Sequence, residues 1–341
     1  MSELKTNQIA TNDGNNVAID NSLNLKSYTT TARDALTSAA GDMIYNSTTN
    51  KVQVYTGSAW EDLGGIDALQ IEYLVIAGGG GGNTNDDTAH GSGGAGGYLC
   101  NVNGENSGGN TSAQPSLFIP KSTNLQITVG AGGSSNSAGS KSEFTSIMSV
   151  GGGTPRVGSY NKCGSAGGPN GRTSGGPTAA NTNNIAGQGS ASGQGVSYQG
   201  SGGGGGAGAA GSNGTNNQGG AGGAGLASSI TGSSVTRGGG GGGGGTTGGA
   251  GGSGGGGAGG SGNNASGTSG TANTGGGGGG SGILTGGTPG SGGSGVVILR
   301  WATADATIGA TRTGLTDGDV QTDGSDSYIV FTAGAGTITF T

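Results

Sequence analysis

The stretch "RGGGGGGGGTTGG", residues 237–249, holds eight consecutive glycines, Gly238 to Gly245. Glycine loses more conformational freedom on folding than any other residue and has no side chain to bury. Such a run is either a flexible linker or backbone packed where no side chain fits. Composition favours the second reading. Glycine supplies 91 of 341 residues, apolar types reach 29% and aromatics 4%, against about 45–50% apolar in an ordinary domain. A large side-chain core is therefore unavailable. With only 9% charged residues, the chain also lacks the high net charge that keeps many disordered proteins solvated. The backbone is left as the main source of cohesion.

An extended helix of three residues per turn makes no internal hydrogen bonds, so all its N–H and C=O groups point outward and must be paired when buried. Neighbouring segments of this kind bond to each other if glycine at the contacts lets their backbones approach. Collagen is excluded, because no strict G-X-Y repeat exists and only six prolines are present. The pure runs at 78–82, 202–206, 238–245 and 275–280 are expected inside such a stack. Mixed stretches at 219–227 and 251–260 suit its outer layers. Against a Gly/Ser linker, strand-like apolar segments bound the blocks and no simple unit repeats.

Glycine counts divide the chain into residues 1–66 with five, 67–295 with eighty and 296–341 with six. In the first part, Thr31 and Asp34 have the spacing of a helix start. Met43–Tyr45 and Lys51–Tyr55 read as strands joined by "NSTTN". A hairpin this small is not stable alone, so Tyr45, Val52, Val54, Tyr55 and Trp60 need a partner surface, most simply two further copies of the chain. At the other end, Tyr328–Thr332 and Thr337–Phe340 read as two strands around "AGAG". The domains expected are an attachment and trimerisation module at 1–66, a glycine-rich domain at 67–301 and a β-hairpin cap at 302–341.

Two segments carry a resemblance. "RDALTSAAGDMIYNSTTNKVQVYTGSAWEDL", within about residues 28–63, resembles a module of bacteriophage tail-fibre and virion appendage proteins, notably those of marine cyanobacterial phages. The order "IEYLVIA", glycine block, "LQITVGAGG", further glycine blocks and "GGSGVVILRW" over 71–301 is similar to the glycine-rich domain of phage tail fibres. In composition it also resembles the tip adhesins of T-even-type phages. The fold class this implies is mainly β and irregular: a small N-terminal β-hairpin module, a polyglycine II helix bundle with short flanking strands, and a small C-terminal β segment.

The resemblance implies a structural protein of a virion appendage, assembled in the host cytoplasm, which recognises a host receptor by multivalent binding. Its partners would be further copies of itself, other tail or fibre proteins, and a host-surface protein or glycan. A purely structural filament and an ice-binding protein are the alternatives. A net charge of −6 with no basic stripe speaks against nucleic acid. The longest apolar runs fall far short of the ~20 residues of a membrane span, and the N-terminus lacks the pattern of a secretory signal.

Nothing points to catalysis or to a cofactor. Glycine patterns of GxGxxG type arise here from composition alone, and no GxxxxGK[ST] occurs. His90 is the sole histidine and reads as a solvated loop residue. Asp317, Asp319, Asp323 and Asp326 read as Asp-Gly turns more than as calcium ligands. Cys100 and Cys163 read as isolated thiols, with a disulfide left open. Receptor contact needs bulk and charge in loops on a rigid base. That singles out Arg156, Tyr160, Lys162, Arg172, Tyr198 and Gln199.

Overall fold

Alternating apolar and polar positions in residues 43–62 make a run of short antiparallel strands. The computed structural model describes residues 25–49, 51–63, 68–84, 89–155, 162–171, 177–196, 200–284 and 286–341, and the chain divides into two units, Met1–Ile66 and Asp67–Thr341. In the first, strands β1 (Ser27–Tyr28), β2 (Met43–Asn46), β3 (Lys51–Tyr55) and β4 (Trp60–Asp62) pair in that order. Helix α1 (Thr30–Asp34) is capped by Thr29, whose hydroxyl accepts from Ala32 N, so the cap lies two residues before the expected Thr31. One face of the sheet buries Ile44 together with Asn46 and Gln53. The Gln53 carboxamide oxygen accepts from Asn46 Nδ2 at 2.9 Å and Arg33 Nη1 at 2.8 Å. Tyr45, Val52 and Val54 on the other face stay partly exposed, and Met43 is exposed.

The second unit contains β5 (Ala68–Ile76), β6 (Tyr98–Cys100), β7 (Asn106–Ser107), β8 (Thr111–Ser112), β9 (Leu117–Pro120), β10 (Leu125–Val129), β11 (Ser142–Phe144), β12 (Ile147–Ser149), β13 (Leu226–Ser228), β14 (Val235–Arg237), β15 (Val296–Ala302), β16 (Leu315–Asp317), β17 (Gln321–Asp323) and β18 (Asp326–Ile338). Ten of these form one sheet in the order β12-β11-β10-β18-β15-β5-β6, with β16 and β17 also on β18 and β9 on β5. The apolar runs bracketing the glycine blocks are its centre, since β5 pairs antiparallel with β15, Leu74 opposite Ile298. Both strands are buried on both faces, which is why they read as continuous apolar runs. Tyr73, Val75, Val297, Leu299 and Trp301 join one core with Ile127, Phe144, Phe331 and Phe340. Leu74, Ile76, Val296 and Ile298 join another with Tyr98, Ala207 and Ile230.

The expected fold class is corrected. Among the described residues the regular structure is nearly all β, 32% strand against 3% helix, with one nearly closed β-sheet barrel, and the expected helix bundle is absent. The flanking strands are the principal sheet of the unit. The N-terminal hairpin is a four-stranded sheet. The residues expected as a small C-terminal segment form one continuous thirteen-residue strand inserted between β10 and β15. Partners far apart in sequence built this sheet, and local pattern does not reveal them. No described helix is long and apolar enough to cross a membrane.

Between the strands, the glycine runs are extended and ordered, and Gly78–Gly82, Gly202–Gly206, Gly238–Gly245 and Gly275–Gly280 are buried throughout. Their hydrogen bonds follow a three-residue repeat. In the run Gly238–Gly245, Gly239, Gly242 and Gly245 donate to the carbonyls of Gly254, Gly257 and Gly260. Gly240 and Gly243 donate to Gly223 and Gly220, and Gly241 and Gly244 to Gly93 and His90. Its carbonyls accept from residues 201–207, 249–252 and 277–280. Between its ends, three neighbours therefore receive its N–H groups and three others supply donors, while Gly238 N donates to Thr274 O and Gly245 O accepts from Gly262 N. Each bond is worth only about 0.5–1.5 kcal/mol net, against roughly 1–2 kcal/mol to order each backbone residue. The array is stable only when its pairing is nearly complete.

A Cβ on Gly241 would lie far inside contact distance of the Gly278 carbonyl oxygen, whereas Ala250 in the next segment is exposed. Gly241→Val is therefore expected to destabilise the unit by about 3 kcal/mol or more. Ala250→Val should stay within about 0.5 kcal/mol. Thermal or urea unfolding of the two variants checks this, and equal effects would place Gly241 outside the array interior.

Candidate receptor-binding surface

Strands of the ten-stranded sheet meet glycine segments at Ile76–Gly78, Gly97–Tyr98, Val129–Gly130 and Gly295–Val296, and β14 of the separate β13-β14 pair meets one at Arg237–Gly238. The eight-residue run Gly238–Gly245 leads away from β14. At its far end it turns. Gly200 bridges Gly245, Gly245 bridges Ser261, Gln218 bridges Thr247, and Asn263 bridges Ile283. The turns around 214–218, 245–247 and 261–264 and the chain at Ile283 thus lie side by side. Asn217 and Asn264 take left-handed conformations there, at φ 67° and 58°, which asparagine tolerates better than most residues. Asn216, Asn217, Thr246, Thr247, Asn263 and Asn264 are exposed, giving an uncharged surface of carboxamides and hydroxyls.

Of the six residues expected to contact a receptor, Arg156, Tyr160, Arg172, Tyr198 and Gln199 lie outside the described residues. The described residues beside two of them are neighbours, because Gly171, which precedes Arg172, packs on Gly200, which follows Gln199. Lys162 is described and exposed. It lines a cleft of about 410 Å³ with Asn136, Ala138, Thr154, Cys163, Asn181 and Asn183 over a floor that includes Gly139, Gly151 and Gly153. The cleft wall is held by backbone bonds. Cys163 N donates to Asn183 O at 3.1 Å, Asn183 N to Asn181 Oδ1 at 3.0 Å, and Asn181 N to Ser192 Oγ at 2.8 Å. Sequence reasoning passed over these asparagines. The only signal was the cluster "NTNN" at 181–184, which looks like ordinary loop composition.

Other residues singled out from the sequence serve structure. His90 is corrected from a solvated position to a fully buried one. Its Nδ1 lies 2.9 Å from Gly282 O and 2.7 Å from Ser281 Oγ, and its carbonyl accepts from Gly244 N and Ser201 Oγ. Polar chemistry alone suggested exposure, but in a glycine array the ring fills space and satisfies neighbouring groups. In the aspartate cluster, Asp317 pairs with Arg312. Asp326 and Asp323 hold Arg300 at 2.6 and 3.3 Å, with Glu72 at 3.8 Å. Burial raises the Glu72 carboxyl above its usual range, against the pull of Arg300. Among the described residues no cluster of three or more His, Cys, Asp or Glu side chains is placed to hold a metal ion.

The fold and this surface define a β protein whose sheet anchors a backbone-bonded glycine array. The chain belongs to the glycine-rich domain family, whose model matches residues 48–302. No curated protein and no solved structure matches it.

Both cysteines are free and buried. Burial pushes the Cys100 thiol up to about 12 and the Cys163 thiol up to about 11, the latter opposed by Lys162. Folded values above the unfolded range of about 8.5 mean that the unfolded chain releases these protons first. Their contribution to stability is complete below about pH 8.5 and is lost as pH rises toward 11. The urea midpoint should fall across that window, and a Cys100→Ala, Cys163→Ala double variant should flatten the decline. At pH 8, iodoacetamide should label neither thiol until the chain is unfolded.

Proposed function

We propose that the chain is a structural component of a phage tail fibre or related virion appendage, and that it binds a host-surface receptor without covalent chemistry. The observation that carries this reading is the gathering of chain turns at one end of a stiff glycine array. A base that moves little lets loops present side chains in fixed relation, and the interior leaves no room for recognition elsewhere. The resemblance of residues 28–63 and 71–301 to tail-fibre segments supports the same assignment. Arg156, Tyr160, Lys162, Arg172, Tyr198 and Gln199 are the proposed receptor contacts, binding by hydrogen bonds and ring stacking. Several copies on one particle would convert weak single contacts into firm attachment.

Residues 1–66 are proposed to join three copies and to meet other fibre proteins. Among their described residues Ile44 is the one apolar side chain that is buried, and this segment has no cysteine. A domain of about 60 residues buries only about 60% of the surface its unfolded chain exposes and is marginal for that reason, so a unit with so little apolar burial gains from association. Assembly would take place in the host cytoplasm, and the finished protein would reside on the virion.

Fluorescently labelled full-length chain is expected to bind cells of a susceptible strain saturably, with a sedimentation mass of three chains. Replacing Arg172, Tyr198 and Gln199 together by alanine should weaken cell binding about tenfold, on the order of 1.4 kcal/mol, with an unchanged melting curve. If an antibody finds the chain on virions while no strain in a host panel binds it, the reading becomes a fibre component without a receptor.

A further inference from the structure

We propose that the cleft beside Lys162 is a saccharide subsite that selects a sugar bearing a carboxylate. The inference rests on the receptor-binding reading for its biological role, but its chemistry stands on the cleft itself. At about 410 Å³ the space falls within the range of small-ligand sites, about 300–1,000 Å³. Its lining includes Gly139, Gly151 and Gly153, whose Cβ positions are taken up by the Gly78 and Gly139 carbonyls and the Cys163 sulfur, so that they present backbone to the cleft. Its walls carry Asn136, Asn181, Asn183 and Thr154. Carboxamides and hydroxyls offer donors and acceptors together, the pattern that sugar hydroxyls require.

The charge of the lining selects further. Among the described lining residues Lys162 is the only charged one, and none is a carboxylate. The neighbouring thiol of Cys163, held neutral by burial, sets no negative charge against an incoming anion. An ammonium acts as a compact point charge, so an acidic sugar gains a Coulombic contact that its neutral counterpart lacks. The described lining residues include no aromatic ring, so affinity for one sugar is expected to be weak and to depend on the number of copies engaged. Asn181, 6% exposed and fixed through its backbone to Ser192, keeps the wall in place without a bound ligand.

The test uses the full-length chain and two probes, galacturonate and galactose, by ligand-observed NMR at low and high salt. Galacturonate should bind at least fivefold tighter than galactose, and the difference should shrink at high salt as charges are screened. Lys162→Gln should reduce galacturonate binding to the galactose level and leave galactose unchanged. Ala138→Trp, at an exposed lining position, should weaken both. Equal affinities, or galacturonate binding indifferent to Lys162→Gln, overturn the proposal. If Ala138→Trp disturbs folding, the comparison of the two sugars on Lys162→Gln decides alone. Competition by purified lipopolysaccharide or by capsular polysaccharide separates the two surface sources of acidic sugars. Cell attachment without galacturonate binding would remove the cleft and leave the adhesin reading. Galacturonate binding without attachment would do the reverse.

Discussion

The structure depends on one constraint: every buried N–H and C=O of a glycine segment needs a partner on another segment. An extended backbone with a three-residue repeat offers its donors in three directions, and no contact within the segment can absorb them. The run Gly238–Gly245 meets this demand by lying among residues 90–93, 201–207, 220–223, 249–252, 254–260 and 277–280. Side chains are excluded from such a site by geometry. A Cβ on Gly79 would fall on the Gly276 carbonyl, and one on Gly278 on that of Gly290. Glycine is thus selected for what it leaves out, and its entropic cost is offset by the backbone network it joins.

An array of this kind needs fixed starting points, since glycine specifies register poorly. The sheet supplies them. Gly78 N donates to Ser140 O just before β11, and Gly295 N donates to Gly130 O just after β10. Ser142 adds a side-chain link, its hydroxyl donating to Ile76 O at 2.8 Å and accepting from Gly130 N at 2.9 Å. The two apolar cores hold the strands, the strands hold the first residues of each segment, and the repeat propagates outward. Sheet and array stand or fall together, which makes cooperative unfolding the natural consequence.

Legibility in the sequence followed the range of the interactions. Strands β2, β3, β5 and β15 were visible as local apolar patterns, because their side chains announce the faces they bury. The burial of Gly238–Gly245 was visible too, because composition left few other uses for it. The ten-stranded sheet was not. Leu125 opposite Ile338 and Val297 opposite Phe331 are pairings between regions that give no mutual signal, and "AGAG" at 333–336 looked like a turn. In fact Ala333–Gly336 continue β18, since Gly334 at φ 95° keeps pairing with Leu315 and Val129. His90 misled for a related reason. Its type suggested solvent, while its position beside Ser281 and Gly282 was fixed by chain segments nearly two hundred residues away.

The same exclusion that orders the interior decides where recognition is possible. An interior position that admits no Cβ cannot hold an arginine or a tyrosine, so chemistry is confined to outer segments, turns and gaps in the array. The cleft at Lys162 is such a gap. Thr154, Lys162 and Cys163 bring side chains to it beside Gly139, Gly151 and Gly153, together with the carboxamides of Asn136, Asn181 and Asn183. Lengthening or altering a turn leaves the paired segments beneath it untouched, because loop length adds closure entropy only slowly. A glycine array therefore separates stability, which resides in backbone pairing, from specificity, which resides in connections. That division would serve the receptor-binding role proposed for the chain, in which diverse side chains are presented on an unchanging frame.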